Sequence, residues 1–124
     1  MRKGVVLAVL IVMGLVCAYA ADITGKWTAA FDSQVGPQKY TFEFKADGAK
    51  LTGTAISDIG GNVAKTPITE GTINGDDIAF VENLDYQGMQ LKIAYKGKVS
   101  GDKINLSRMV GEQEGEKFVA TRAK

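Results

Sequence analysis

The feature that most constrains this chain is a period-two alternation of apolar and polar residues, broken at short intervals by glycine-centred turns. Tyr95 to Leu106, Y-K-G-K-V-S-G-D-K-I-N-L, alternates, turns at Ser100-Gly101-Asp102 and alternates again. Gly71 to Phe80, G-T-I-N-G-D-D-I-A-F, repeats the same grammar one hairpin earlier. Side chains of a strand point to opposite faces in turn, so such a segment buries one face and wets the other. Helical spacing is absent from this pattern, and the expectation is an all-β chain.

Taken in order, the alternation gives eight strands. Gly25 to Asp32 places Trp27, Ala29 and Phe31 on one face, and Gln38 to Lys45 places Tyr40, Phe42 and Phe44 inward. Lys50 to Ile56 carries Leu51, Gly53 and Ala55 inward, small residues that leave space inside. Ile68 to Ile73 and Asp77 to Glu82 flank Asn74-Gly75-Asp76, and Asn-Gly is a strong hairpin signal. Met89, Leu91, Ile93, Tyr95 and Val99 line a long sixth strand, with Gly97 read as a bend or bulge. Ile104 and Leu106 mark the seventh strand, and Glu116 to Arg122, with Phe118 and Ala120 inward, the eighth.

Eight short sequential strands fit a single antiparallel up-and-down β-barrel, whose closure removes exposed edges. The turns after strands two, four and six are tight, and in such a barrel they share one end. The connections Ser33–Pro37, Ser57–Thr66, Asn83–Gly88 and Gly111–Gly115 read as longer loops gathered at the other end, which is where barrels admit ligands.

The first twenty residues follow a different logic. Arg2 and Lys3 precede an apolar run, Gly4 to Val16, and Ala18-Tyr19-Ala20 is a small-x-small site. This reads as a secretory signal peptide over residues 1–20, with the barrel domain over 21–124 and a secreted or periplasmic destination. The run is short for a membrane span of about 20 residues, so no membrane association is expected after cleavage. Cys17, the one cysteine, follows branched Val16 where lipid attachment wants a small residue, so ordinary cleavage is expected.

Of 124 residues, 104 remain after removal of 20, with neither Cys nor His. Thiol chemistry, Cys–His or Ser-His-Asp nucleophiles and His-rich zinc sites thereby lose their usual parts. The chain has 15 basic and 14 acidic residues; losing Arg2 and Lys3 leaves 13 against 14. A charge of −1 with scattered lysines argues against nucleic acid. No cofactor or metal is expected: Asp47, Asp76, Asp77 and Asp102 sit in separate turns, where Asp serves local hydrogen bonding. Asn105-Leu106-Ser107 matches a glycosylation acceptor but falls within a strand.

Two polar residues break the inward pattern. Continuing Ile78, Phe80, Glu82 and Ile104, Leu106, Arg108 sends Glu82 and Arg108 into the barrel near its open mouth. A buried charge needs a partner, so they are expected to pair, as a structural ion pair or as a bridge to a polar ligand. Tyr86 stands in an open-end loop, suited to stacking on a sugar or to folding back as a lid, and Tyr40 stands at the mouth end of strand two. Glu82, Asp85 and Glu116 are the carboxylates a glycoside hydrolase would need, but nothing in the sequence fixes a pair of them, and solvated loop charge is the preferred reading.

Gly25-Lys26-Trp27 resembles the Gly-x-Trp motif of lipocalin-like and streptavidin-like barrels. That resemblance implies a lipocalin-like barrel in which Trp27 packs near the closed end against a basic residue of the last strand, the position Arg122 occupies. The chain is also similar to a set of small exported bacterial domains of unassigned function. They share A-D-I-T-G-K-W (Ala21 to Trp27), F-K-A-D-G-x-K-L-T-G-T (Phe44 to Thr54), Y-K-G-K-V-S-G-D-K-I (Tyr95 to Ile104) and F-x-A-T-R (Phe118 to Arg122). Relatives of that kind stand beside or fused to secreted glycoside hydrolases, which implies carbohydrate as a context and brings no catalytic residues.

Three functions follow in order. The first is a non-enzymatic, monomeric exported barrel binding a small molecule or glycan through Tyr40, Glu82, Tyr86 and Arg108. The second is an accessory module with a filled barrel and a secreted protein partner. The third is a carboxylate-dependent hydrolase.

Overall fold

The computed structural model describes residues 22–123; the stretch expected to be a signal peptide, the expected cleavage site and Cys17 lie outside them. The strands are β1 (Gly25–Ser33), β2 (Gly36–Asp47), β3 (Lys50–Ile59), β4 (Asn62–Asn74), β5 (Asp77–Tyr86), β6 (Met89–Ser100), β7 (Lys103–Val110) and β8 (Gln113–Arg122). Each pairs antiparallel with the next, and β8 returns to β1, so the sheet is a closed up-and-down barrel.

All seven connections are two-residue turns. The expectation of long loops at one end is therefore corrected. Ser33↔Gly36, Ile59↔Asn62, Tyr86↔Met89 and Val110↔Gln113 are cross-strand partners, and residues assigned to loops extend the strands. The reason is the turn geometry: Gly60 and Gly61 have φ of 61° and 89°, as do Gln87 and Gly88 at 54° and 83°. Positive φ at both central residues is the primed hairpin conformation that matches strand twist. Ser57, Asp58 and Asn62 around one turn, and Asn83 and Asp85 before the other, are residue types that favour loops, which masks the strands they belong to.

The interior is filled rather than hollow. Trp27, Phe42, Phe44, Leu51, Phe80 and Ile104 are buried. Phe42 stacks on Phe44 at 5.5 Å between centroids, Phe44 meets Phe80 edge-on at 5.3 Å, and Phe80 stacks on Tyr95 at 4.6 Å. Gly53 leaves no space of the kind expected. At φ 144° its missing side chain lets the β2 backbone approach, and a Cβ there would fall on the Glu43 carbonyl oxygen. Gly97 is no bulge either, since it pairs in register with Ile78 and Leu106. A Cβ at Gly97 would lie 2.7 Å from Leu106 Cδ2, so its smallness serves core packing. Register shifts fall instead between Lys50 and Thr54, Thr69 and Thr72, and Ser107 and Met109. Met89, expected on the inner face, is 61% exposed at the rim.

At the closed end the Trp27 indole N–H donates to the Ile23 carbonyl at 3.0 Å. The Arg122 guanidinium lies 4.4 Å above the ring and donates to the carbonyls of Asp22 and Thr24 at 2.9 and 3.1 Å. This cation over an indole face ties both ends of the chain together. The seam it closes is short: β1 pairs with β8 only at Trp27↔Arg122 and Thr28↔Thr121, against nine pairs with β2. Further along, Phe31 and Phe118 hold the seam by stacking at 4.2 Å.

Candidate functional site

Above the aromatic core, strand alternation delivers one polar layer. Gln38 and Tyr40 continue the inward face of β2, Glu82 that of β5, Tyr95 that of β6 and Arg108 that of β7. All five are buried, Glu82 completely and Arg108 to 6% exposure. Polar groups taken out of water must find partners in one another, and here every one does.

Glu82 and Arg108 share this layer without touching. Their expected direct pairing is corrected: two phenol groups stand between them. The Tyr95 hydroxyl donates to Glu82 Oε1 at 2.7 Å, and the Tyr40 hydroxyl shares its hydrogen between Oε1 and Oε2 at 3.1 and 3.2 Å. Arg108 Nη1 donates to both hydroxyls, at 3.3 Å for Tyr40 and 3.1 Å for Tyr95. Each phenol thus accepts from the guanidinium and donates to the carboxylate, a pattern that suits an ionised glutamate. Arg108 Nη2 donates to Gln38 Oε1 at 3.3 Å, and Nε forms an ion pair with Glu116 at 2.8 Å. Its guanidinium carbon, Cζ, lies 4.8 Å from the Phe31 ring centroid.

The energetic consequences are directional. Burial raises the Glu82 pKa above the ordinary glutamate value, while hydrogen bonds from Tyr95 and Tyr40 and the Arg108 charge pull it back. Burial and the Glu82 charge push Tyr40 up to about 12 and Tyr95 well above its ordinary value, so both remain neutral donors. Burial works against the Arg108 charge, but the oxygens of Tyr95 and Tyr40 more than offset it.

A cup of about 160 Å³ opens above this layer. Arg108 and Gln38 form its floor; Ile59, Leu84, Tyr86, Leu91 and Val110 supply apolar wall; Gln34, Gln113, Glu114 and Glu116 stand around it. Tyr86 is not in a loop. It ends β5, half-buried against the core cluster, with its ring in the cup wall. Tyr40 and Glu82 lie beneath the floor and do not line the cup, so they hold Arg108 in place. Of the three carboxylates a hydrolase would need, Glu82 is sealed off behind two hydroxyls, Asp85 is on the exposed face of β5, and Glu116 meets the cup.

Sequence reasoning left out Gln38 and the Tyr95 hydroxyl. Parity held the clue to both: Gln38 is two residues from Tyr40 on the same face, and Tyr95 is an inward tyrosine whose hydroxyl demands a partner. Glu116 was weighed only as a catalytic carboxylate, and here it is the counter-ion of Arg108. Comparison with protein-family models, with curated proteins and with solved structures finds no match to this chain.

Proposed function

We propose that the chain is an exported, non-enzymatic binding module that takes the end group of a small ligand or glycan in its open-end cup. The observation that carries this reading is the buried guanidinium set in the floor of a solvent-open, partly apolar cup. Concave sites with apolar walls and a few convergent polar groups are where small ligands bind. At about 160 Å³ the cup is smaller than the ~300 Å³ lower range of whole-ligand sites. Packing of the barrel interior restricts the site to an end group and disfavours engulfment of a large apolar molecule.

Tyr86→Ala tests the proposal. The variant should lose binding to a glycan array or ligand library while its melting curve stays close to wild type; unchanged binding would remove the cup from consideration. A second reading has its own support. Val35, Val63 and Met89, 53%, 62% and 61% exposed, stand at or beside three of the four open-end turns, as on a module that docks a secreted protein. Val63→Glu would abolish such docking and leave cup binding intact.

A further inference from the structure

On the reading that the cup holds a ligand's end group, we propose that it selects an uncharged polyhydroxyl group, such as a terminal neutral sugar ring, and rejects anions. Charge is the first argument. Arg108 is the one basic residue in the lining, and it already serves Glu116 directly at 2.8 Å and Glu82 through the two tyrosine hydroxyls. Glu114 adds a further carboxylate to the lining. The guanidinium is therefore neutralised before any ligand arrives, and an incoming anion meets two carboxylates at the cup with no cation left to balance it. Desolvating an unbalanced charge is costly.

The remaining hydrogen-bonding capacity is mixed. Among the described residues, Arg108 uses four of its five N–H groups, two from Nη1, one from Nη2 and one from Nε. One Nη2 hydrogen is left to donate. Glu116 accepts through Oε1, and its Oε2 is left to accept. Gln34 and Gln113 offer amides that do both. A hydroxyl group is itself donor and acceptor, so neighbouring hydroxyls can take the Arg108 hydrogen and give one to Glu116. A carboxylate, which only accepts, uses half of this set and is repelled by the other half. Tyr86, Ile59 and Leu84 give the apolar wall on which the C–H face of a sugar ring rests.

Size and rim agree with this choice. At about 160 Å³ the cup suits one small ring whose chain continues outward. The open end presents Gln34 and Gln87 in its turns and Asn62 and Gln113 at the starts of β4 and β8. Such amides hydrogen-bond neutral hydroxyls without imposing a charge.

The test is titration of the barrel with glucose, galactose and N-acetylglucosamine oligosaccharides against oligosaccharides ending in glucuronate or galacturonate. Binding is read at the Arg108 Nε–Hε NMR resonance. A neutral sugar should shift it, with the matching uronate at least tenfold weaker, and Glu116→Gln should bring the two to within about threefold. Equal or tighter uronate binding by the wild type overturns the selectivity and leaves the cup standing; so does a gap that Glu116→Gln fails to narrow. The wild-type comparison decides the matter even where the variant folds poorly. Silence of the resonance to every sugar and to octanoate overturns the cup itself.

Discussion

Replacing Tyr95 by Phe isolates the polar layer, because the ring stays and one oxygen goes. The ring should keep its 4.6 Å stack on Phe80, so the change falls on two bonds: the 2.7 Å donation to Glu82 and the 3.1 Å acceptance from Arg108. Hydrogen bonds to charged groups contribute ~1.5–3 kcal/mol each. Tyr40 still reaches both partners at 3.1–3.3 Å, which puts the combined loss at about 2–4 kcal/mol. A loss of ~3 kcal/mol lowers Tm by roughly 12–24 °C in a domain near 100 residues. The cost should also depend on pH. Glu82 has a folded pKa above its unfolded value near 4.5, so its contribution to stability is fully present below that value and is lost as pH rises through the folded pKa. Removing a hydrogen bond that favours the ionised form raises the folded pKa further and extends that loss. Tyr95→Phe should therefore cost more at pH 7.5 than at pH 4, by ~1.4 kcal/mol for each unit of further rise. Urea unfolding of both proteins at the two pH values measures it. A cost below about 0.5 kcal/mol at pH 7.5, or the same cost at both, would refute the relay from Arg108 through the phenols to Glu82.

Two substitutions probe the frame. Gly53→Ala should destabilise the barrel by more than the ~1 kcal/mol usual for a point change, because it adds a left-handed conformation to a collision with the Glu43 carbonyl; denaturant midpoints check it. Arg122→Lys keeps the charge but loses the planar fork that spans the Asp22 and Thr24 carbonyls while lying on Trp27. It should cost ~1–2 kcal/mol and speed hydrogen exchange first along β1 and β8, whereas uniform exchange across the barrel would count against a local tie.

Much of the architecture was legible because it is local. Strand number, the turns at Gly48, Gly75 and Gly101, and the inward parity of Tyr40, Glu82 and Arg108 are all visible within stretches of ten residues. The open-end turns were not, since Gly60-Gly61 and Gln87-Gly88 stand among Ser, Asp and Asn residues that read as loops. The wiring of the polar layer lay further out of reach. Tyr40 and Glu82 are 42 positions apart and Arg108 and Gln38 are 70 apart, so their meeting depends on the register of strands around the whole barrel. Two opposite charges with inward parity led to the expectation of an ion pair, and only the three-dimensional arrangement put hydroxyls between them.

The tie made by Arg122 also fixes how the barrel is mounted. Asp22 and Thr24 lead into β1 and Ala123 follows β8, and Arg122 also meets Asp102 in the turn between β6 and β7, so both ends of the domain leave from the end opposite the cup. A domain or surface joined at either end would hold the barrel by its base, with the mouth facing away. Several copies strung along one chain would each keep an unobstructed cup, and a purification tag at either end would leave binding measurements undisturbed.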